Sequence, residues 1–272
     1  MLGQAVVRQW RRQDSAVLAL SHAQADLRDR DQLVAWARDF RPQLIINCAA
    51  FTQVDACEEQ RDLALEVNGE AVAHVVEAAA EAEADLIHIS SDYVFDGQGT
   101  APYLEDAATG PSSVYGESKL LGEQRALEYD RSLSLRASWL FGPGGPNFVT
   151  TIARLLRQGK DLKVVDDQVG CPTYTPFLAR AIWDLSSQAP RGLMHYRNRD
   201  AVSWHGFAEE IARSLNIATE IAPVPTSEFP RPAPRPAYSV LDVECFEATV
   251  GRPVEPWIGG LVAFLEDPGG LQ

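Results

Sequence analysis

The sequence predicts an α/β fold built on a doubly wound parallel sheet with a smaller C-terminal lobe. Three observations carry that expectation. From Ser15 to about Asp167, short apolar clusters alternate with stretches of helical period, the pattern of successive βαβ units. Most of the clusters are continuous rather than alternating, as strands covered on both faces require. The chain has 272 residues, 46% of them hydrophobic and 23% charged, which is enough apolar surface for a sizeable core.

Taken in order, apolar clusters predict strands at 16–20, 44–48, 86–90, 133–137 and 162–165. Helical spacing between them predicts helices over 31–39, 62–81 and 115–127. Beyond Asn198 the texture changes. Ser203 can cap a helix over 203–215, in which Trp204, Phe207, Ile211 and Leu215 recur at helical spacing. The stretch 223–236 is too dense in proline, which lacks an amide donor, for regular helix or sheet. Two short helices, near Cys245 and over 257–265, close the chain.

Charge and cysteine usage exclude several function classes. Lys plus Arg number 24 against 38 Asp plus Glu, a net −14, which argues against wrapping nucleic acid or lying on an anionic membrane. Cys48, Cys57, Cys171 and Cys245 form no C-x-x-C pair and stand at no zinc-like spacing from a histidine, so buried free thiols in a reducing cytosol are expected. Apolar runs break well short of the roughly 20 residues that span a bilayer, and no apolar signal core opens the chain. A cytoplasmic protein with no membrane or nucleic-acid partner follows. Asp166 and Asp167 are adjacent on an extended segment and point to opposite faces, so no metal site is expected.

Two groups of residues carry chemistry. Tyr115 and Lys119 are four apart on a predicted helix and therefore share a face. An ammonium beside a phenol favours the phenolate, so such a tyrosine can exchange a proton near neutrality. Ser91, in Ile89-Ser90-Ser91-Asp92-Tyr93-Val94-Phe95-Asp96-Gly97, stands at the carboxyl end of a buried strand, where open parallel sheets bind ligands.

The Ser…Tyr-x-x-x-Lys set resembles the extended short-chain dehydrogenase/reductase superfamily, whose fold is Rossmann-like. S-S-D-Y-V-F-D-G, Y-G-E-S-K-L-L-G-E, R-A-S-W-L-F-G-P-G-G-P-N-F-V, D-D-Q-V-G-C-P-T and R-P-A-Y-S-V-L-D, in this order, are together similar to the dTDP-4-dehydrorhamnose reductase family, over nearly the whole chain. The resemblance implies NAD(P)H-dependent reduction of the 4-keto group of dTDP-4-dehydro-L-rhamnose to give dTDP-L-rhamnose. It gives Tyr115 the role of proton donor, has Lys119 lower its pKa and bind the nicotinamide ribose, and has Ser91 orient the carbonyl. Asn47-Cys48-Ala49-Ala50-Phe51-Thr52 matches the family's N-A-A-x-T, which places Ala49, Ala50 and Thr52 against the cofactor. Asp26 and Leu27 match the pair that meets the adenine. Tyr93, Trp139, Asn147, Phe148 and Arg235 match substrate positions, an aromatic covering a sugar or base and Arg235 forking onto a pyrophosphate; core packing is the alternative for Trp139 and Phe148. The second strand ends Leu20-Ser21-His22, with neither an acid for a ribose hydroxyl nor an arginine for a 2′-phosphate, so NADPH and NADH both stay open, leaning to NADPH.

The implied division assigns 1–141 with about 160–188 to dinucleotide binding, and 142–159 with about 189–272 to the substrate lobe. A homodimer is the oligomeric expectation. A sugar-nucleotide epimerase or dehydratase on the same scaffold is the enzymatic alternative, although dehydratases carry a second acid where Tyr93 stands. A non-catalytic subunit like the regulatory subunit of methionine adenosyltransferase is the other. The family begins with a strand and G-x-x-G-x-x-G. Met1-Leu2-Gly3-Gln4-Ala5-Val6 resembles the tail of that motif, with Gly3 as its last glycine, and about a dozen expected residues are absent. Either the start is set too far downstream and the natural protein is ordinary, or this chain binds cofactor weakly, and a gap or strained pairing is expected between the strands at 16–20 and 86–90.

Overall fold

The computed structural model describes residues 1–267. Its main sheet is parallel, in the order Leu44–Asn47, Asp85–Ser91, Ser132–Ala137, Gly192–Tyr196. Helices cover both faces. Leu2–Arg11, Thr175–Gln188 and Glu244–Val250 pack on Ile87, Ile89, Leu133 and Leu135 from one side. Val72–Glu81 and Val114–Leu127 pack on Leu86 from the other, with Arg30–Phe40 outside the former. The continuous apolar strands thus earn their pattern by being buried on both sides.

Four of the five expected strands form. The exception is 16–20, which carries no strand and has no pairing partner among the described residues, its residues half-buried or exposed. The expected gap between 16–20 and 86–90 is corrected with it: Asp85–Ser91 pairs directly with Leu44–Asn47, which is itself the edge of the sheet. The helix expected over 62–81 is broken. Arg61–Leu65 passes into a π-helical turn, Glu66–Glu70, before Val72–Glu81 resumes. The proline-rich stretch is more regular at its start than expected. Ile221–Val224 pairs parallel with Leu162–Val165, Pro223 standing opposite Val164, and a short 3₁₀ turn covers Thr226–Glu228. The strand has a neighbour on one side only, where a missing donor is tolerated.

A second core gathers Phe141, Val149, Leu156, Leu162, Tyr174, Phe207, Trp257 and Phe264. Leu162–Val165, assigned above to the dinucleotide part, joins this core, while Gly192–Tyr196, assigned above to the lobe, is the fourth strand of the main sheet. Ser203 caps Trp204–Ser214 by accepting from the Gly206 amide at 3.0 Å. Cys57 and Cys171 are buried, but Cys48 is half-buried and Cys245 exposed; all four thiols are free.

Candidate active site

The carboxyl end of Asp85–Ser91 turns sharply because Ser91 accepts the Tyr93 amide at 3.2 Å and opens the 3₁₀ turn Asp92–Val94. Beside it begins the helix Val114–Leu127. Ser113 caps that helix through the Gly116 amide at 3.2 Å, a bond whose loss would cost about 1 kcal/mol. Gly116 is required there because an added Cβ would overlap the Tyr93 carbonyl. The helix start is thereby pressed onto the strand end, and Tyr93 and Tyr115 meet edge to face with centroids 5.3 Å apart.

Ser91 donates to Asp92 Oδ1 at 3.1 Å and stands close enough to the Tyr115 phenol to favour its charged form. Asp92 is buried with no partner on Oδ2 among the described residues, and burial pushes its carboxyl up to about 6, against hydrogen bonding from Ser239 and Ser91. Burial also raises the Tyr115 phenol, opposed by Ser91. The expected lowering of the phenol by Lys119 is not what the structure displays. The ammonium donates instead to the Ile89 carbonyl at 2.7 Å, and its own burial lowers it to about 8, with the Glu123 charge opposing. Tyr115 therefore holds its proton at neutral pH and is available as a donor.

Several residues that sequence reasoning missed brace this arrangement. Glu123, two turns beyond Tyr115, accepts Ser90 Oγ at 2.8 Å and pairs with Arg136 Nη2 at 2.5 Å, both charges buried. Asn68, on the π turn, accepts the Phe51 amide at 2.6 Å and donates to Ser118 Oγ at 3.0 Å, tying the Ala49–Thr52 loop to the Tyr115 helix. The one signal for it was an Asn-Gly pair inside a helical run. Asn47 turns the edge strand by accepting the Ala49 amide at 3.1 Å.

Of the expected cofactor positions, Ala49, Ala50 and Thr52 lie beyond the end of the edge strand, and Gly3 lies beside Cys48 on the first helix. Asp26 and Leu27 are set in a loop. Arg28 holds Asp26 at 2.7 Å and lowers its carboxyl to about 2, and Leu27 accepts His74 Nδ1. The residues present fit a dinucleotide on its nicotinamide side. Lys119 has three donors and, among the described residues, one acceptor, so a buried ammonium keeps N–H groups for a ribose.

The substrate positions divide. Tyr93 adjoins Tyr115; burial raises its phenol, and Arg235 lies close enough to oppose that rise. Trp139, with φ 46°, stacks on Trp204 at 3.5 Å. Asn147 is spent on capping Phe148–Arg157 and on the Gly142 and Gly145 carbonyls, while Phe148 packs on Trp204 and Phe207 in the second core.

A parallel sheet with helices on both faces, and serine, tyrosine and lysine converging at its carboxyl edge, defines a Rossmann-like protein of the short-chain dehydrogenase/reductase class. The chain belongs to the RmlD substrate binding domain family, which it matches over residues 1–268. It is 38% identical over 267 residues to the spore coat polysaccharide biosynthesis protein SpsK of Bacillus subtilis (strain 168), covering 98% of this chain and 94% of that one. It is also 38% identical over 269 residues to a dTDP-4-dehydrorhamnose reductase of Streptomyces griseus, covering 96% and 88%. Among solved structures, the dTDP-4-dehydrorhamnose reductase of Bacillus anthracis str. Ames in complex with NADP superposes with a TM-score of 0.93 at 33% identity, covering 97% of this chain and 94% of that one.

Proposed function

We propose that this chain uses NADPH or NADH to reduce the 4-keto group of dTDP-4-dehydro-L-rhamnose, giving dTDP-L-rhamnose. The observation that carries the reading is the placing of Ser91 at the strand end beside Tyr115, whose ring packs on Tyr93, with the buried Lys119 one helical turn on. The family and the reductase names of its relatives agree with it. Tyr115, protonated at neutral pH, gives its proton to the ketone oxygen, and Ser91 holds that oxygen in line with the phenol. Lys119 and Tyr115 would hold the nicotinamide ribose, with Ala49, Ala50, Thr52 and Gly3 against the cofactor and Asp26 and Leu27 near its adenine. The dinucleotide, when bound, supplies the hydride. Arg235 takes the substrate's diphosphate, Tyr93 and Trp139 face the sugar nucleotide, and Asn147 and Phe148 support that wall of the cleft. The same reading makes the enzyme cytoplasmic and a homodimer; among the described residues no helix is long and apolar enough to cross a membrane.

Removing the proton donor tests the reading. Tyr115→Phe is expected to lower kcat by at least ~100-fold, followed as consumption of reduced nicotinamide, while the affinity for dTDP stays within about threefold. A wild-type chain that consumes no NADPH or NADH with the keto sugar would overturn the assignment, and an undiminished rate in the variant would remove Tyr115 from the reaction.

A further inference from the structure

The last part of the proline-rich segment, residues 231–235, is fastened beside the site by the Asp55 carboxylate. Asp55, on the short helix Val54–Glu59, accepts Arg235 Nη2 at 2.9 Å and the Ala233 amide at 3.3 Å through Oδ1. Arg231 Nη1 lies 3.9 Å from its Oδ2. Arg235 closes the arrangement by donating through Nη1 to the Ala233 carbonyl at 2.9 Å. One carboxylate thus collects two guanidiniums and an amide from residues 231, 233 and 235. The cluster adjoins the reacting ring: Arg235 and Asp55 act on the Tyr93 phenol in opposite senses, and Tyr93 packs against Tyr115.

Guanidiniums bind carboxylate and phosphate oxygens with the same forked geometry, so Asp55 and a phosphate group compete for the same donors. A single carboxylate neutralises half the charge of the two arginines. A diphosphate carries more charge and more acceptor oxygens, and the Asp55 pair is part-exposed, which makes it weak enough to exchange. We infer that Asp55 is a built-in counter-ion that occupies the diphosphate position of Arg235 and Arg231 until a nucleoside diphosphate displaces it. Asp55 is then a specificity-determining residue. It leaves the arginines closed to weak anions and opens them to a ligand whose charge exceeds its own, freeing the proline-rich segment as it does so. The inference rests on the reading of Arg235 as the residue that takes the diphosphate.

Calorimetric titration of the full chain with dTDP, and with thymidine as the uncharged control, tests it. With Asp55→Asn, dTDP is expected to bind at least fivefold tighter while thymidine stays within twofold of wild type. Asp55→Ser is expected to show the same gain and serves should the first variant fail to fold. If Asp55 only anchors the segment, losing its charge loosens the binding wall, and dTDP binds equally or more weakly; either result overturns the inference. A wild-type chain that binds dTDP no better than thymidine overturns the diphosphate reading itself and the inference with it, whereas tight wild-type binding without a gain in the variants overturns the inference alone.

Discussion

Asp92 shows how one residue in the site is tuned by where it sits. The residue is 2% exposed, with Oδ1 accepting from Ser91 and no partner on Oδ2 among the described residues. Its carboxyl rises from 3.8 to about 6 because burial penalises the charge. The raised value means that the folded state binds the proton more tightly than the unfolded chain does. The corresponding stabilisation is complete below pH 3.8 and is lost as the pH climbs through about 6. A shift of that size corresponds to about 3 kcal/mol. Asp92→Asn is therefore expected to be more stable than wild type at pH 7.5, by up to about 3 kcal/mol, with the advantage gone by pH 4. Urea midpoints measured across that range check it, and an advantage that does not change with pH would contradict the account. The Tyr115–Lys119 pair was legible from spacing alone, because helical periodicity fixes which side chains share a face. The target of the ammonium was not. The Ile89 carbonyl that receives it lies on another strand, and no local pattern places a strand carbonyl beneath a helix.

At the scale of elements, the helix Val114–Leu127 is seated by close approach. A Cβ on Gly122 would overlap the Asn68 carbonyl of the π turn, and one on Gly69 would overlap Leu121. Alanine is a better helix former than glycine by about 1 kcal/mol, yet Gly122→Ala is expected to lower stability by about 1–3 kcal/mol, because the overlap falls on backbone that has nowhere to go. Thermal unfolding of the variant measures the sign, and a raised melting temperature would show that the two helices can separate freely. The π turn explains why the continuous helix expected over 62–81 is interrupted. Asn68 satisfies the Phe51 amide and carbonyl and the Ser118 hydroxyl at once, and an unbroken α-helix would rotate it away. A pattern of apolar spacing reports the face a helix buries and is blind to one inserted residue that re-aims a side chain.

Across the whole molecule, protection from solvent follows the sheet order. Among the described residues, Ser132–Ala137 has strand neighbours on both sides, Leu44–Asn47 has one, and 16–20 has none. Amide hydrogen exchange is expected to be at least ~1000-fold slower at 132–137 than at 16–20, with 44–47 between them. Equal protection at 16–20 and 132–137 would mean that 16–20 is paired in solution. The site lies where the strand ends of this sheet meet the proline-rich segment, whose preceding strand belongs to the second core. It is therefore assembled from parts of the chain whose stabilities are set separately.

The sequence alone determined the α/β class, four of the strands, the Tyr115 helix, the Ser203 cap and the serine at the strand end. Each of these is a consequence of periodicity or capping within a dozen or so neighbouring residues, where the chain's own covalent geometry limits the choices. The tertiary structure decided that 16–20 forms no strand and pairs with none of the described residues, that 85–91 sits directly against 44–47, that Asn68 interrupts its helix, and that Asp55 closes on Arg235 from 180 positions away. Hydrogen-bond partners and ion pairs between distant segments depend on which surfaces the packed core leaves adjacent, and adjacency in space is a property of the whole chain that no window of sequence contains.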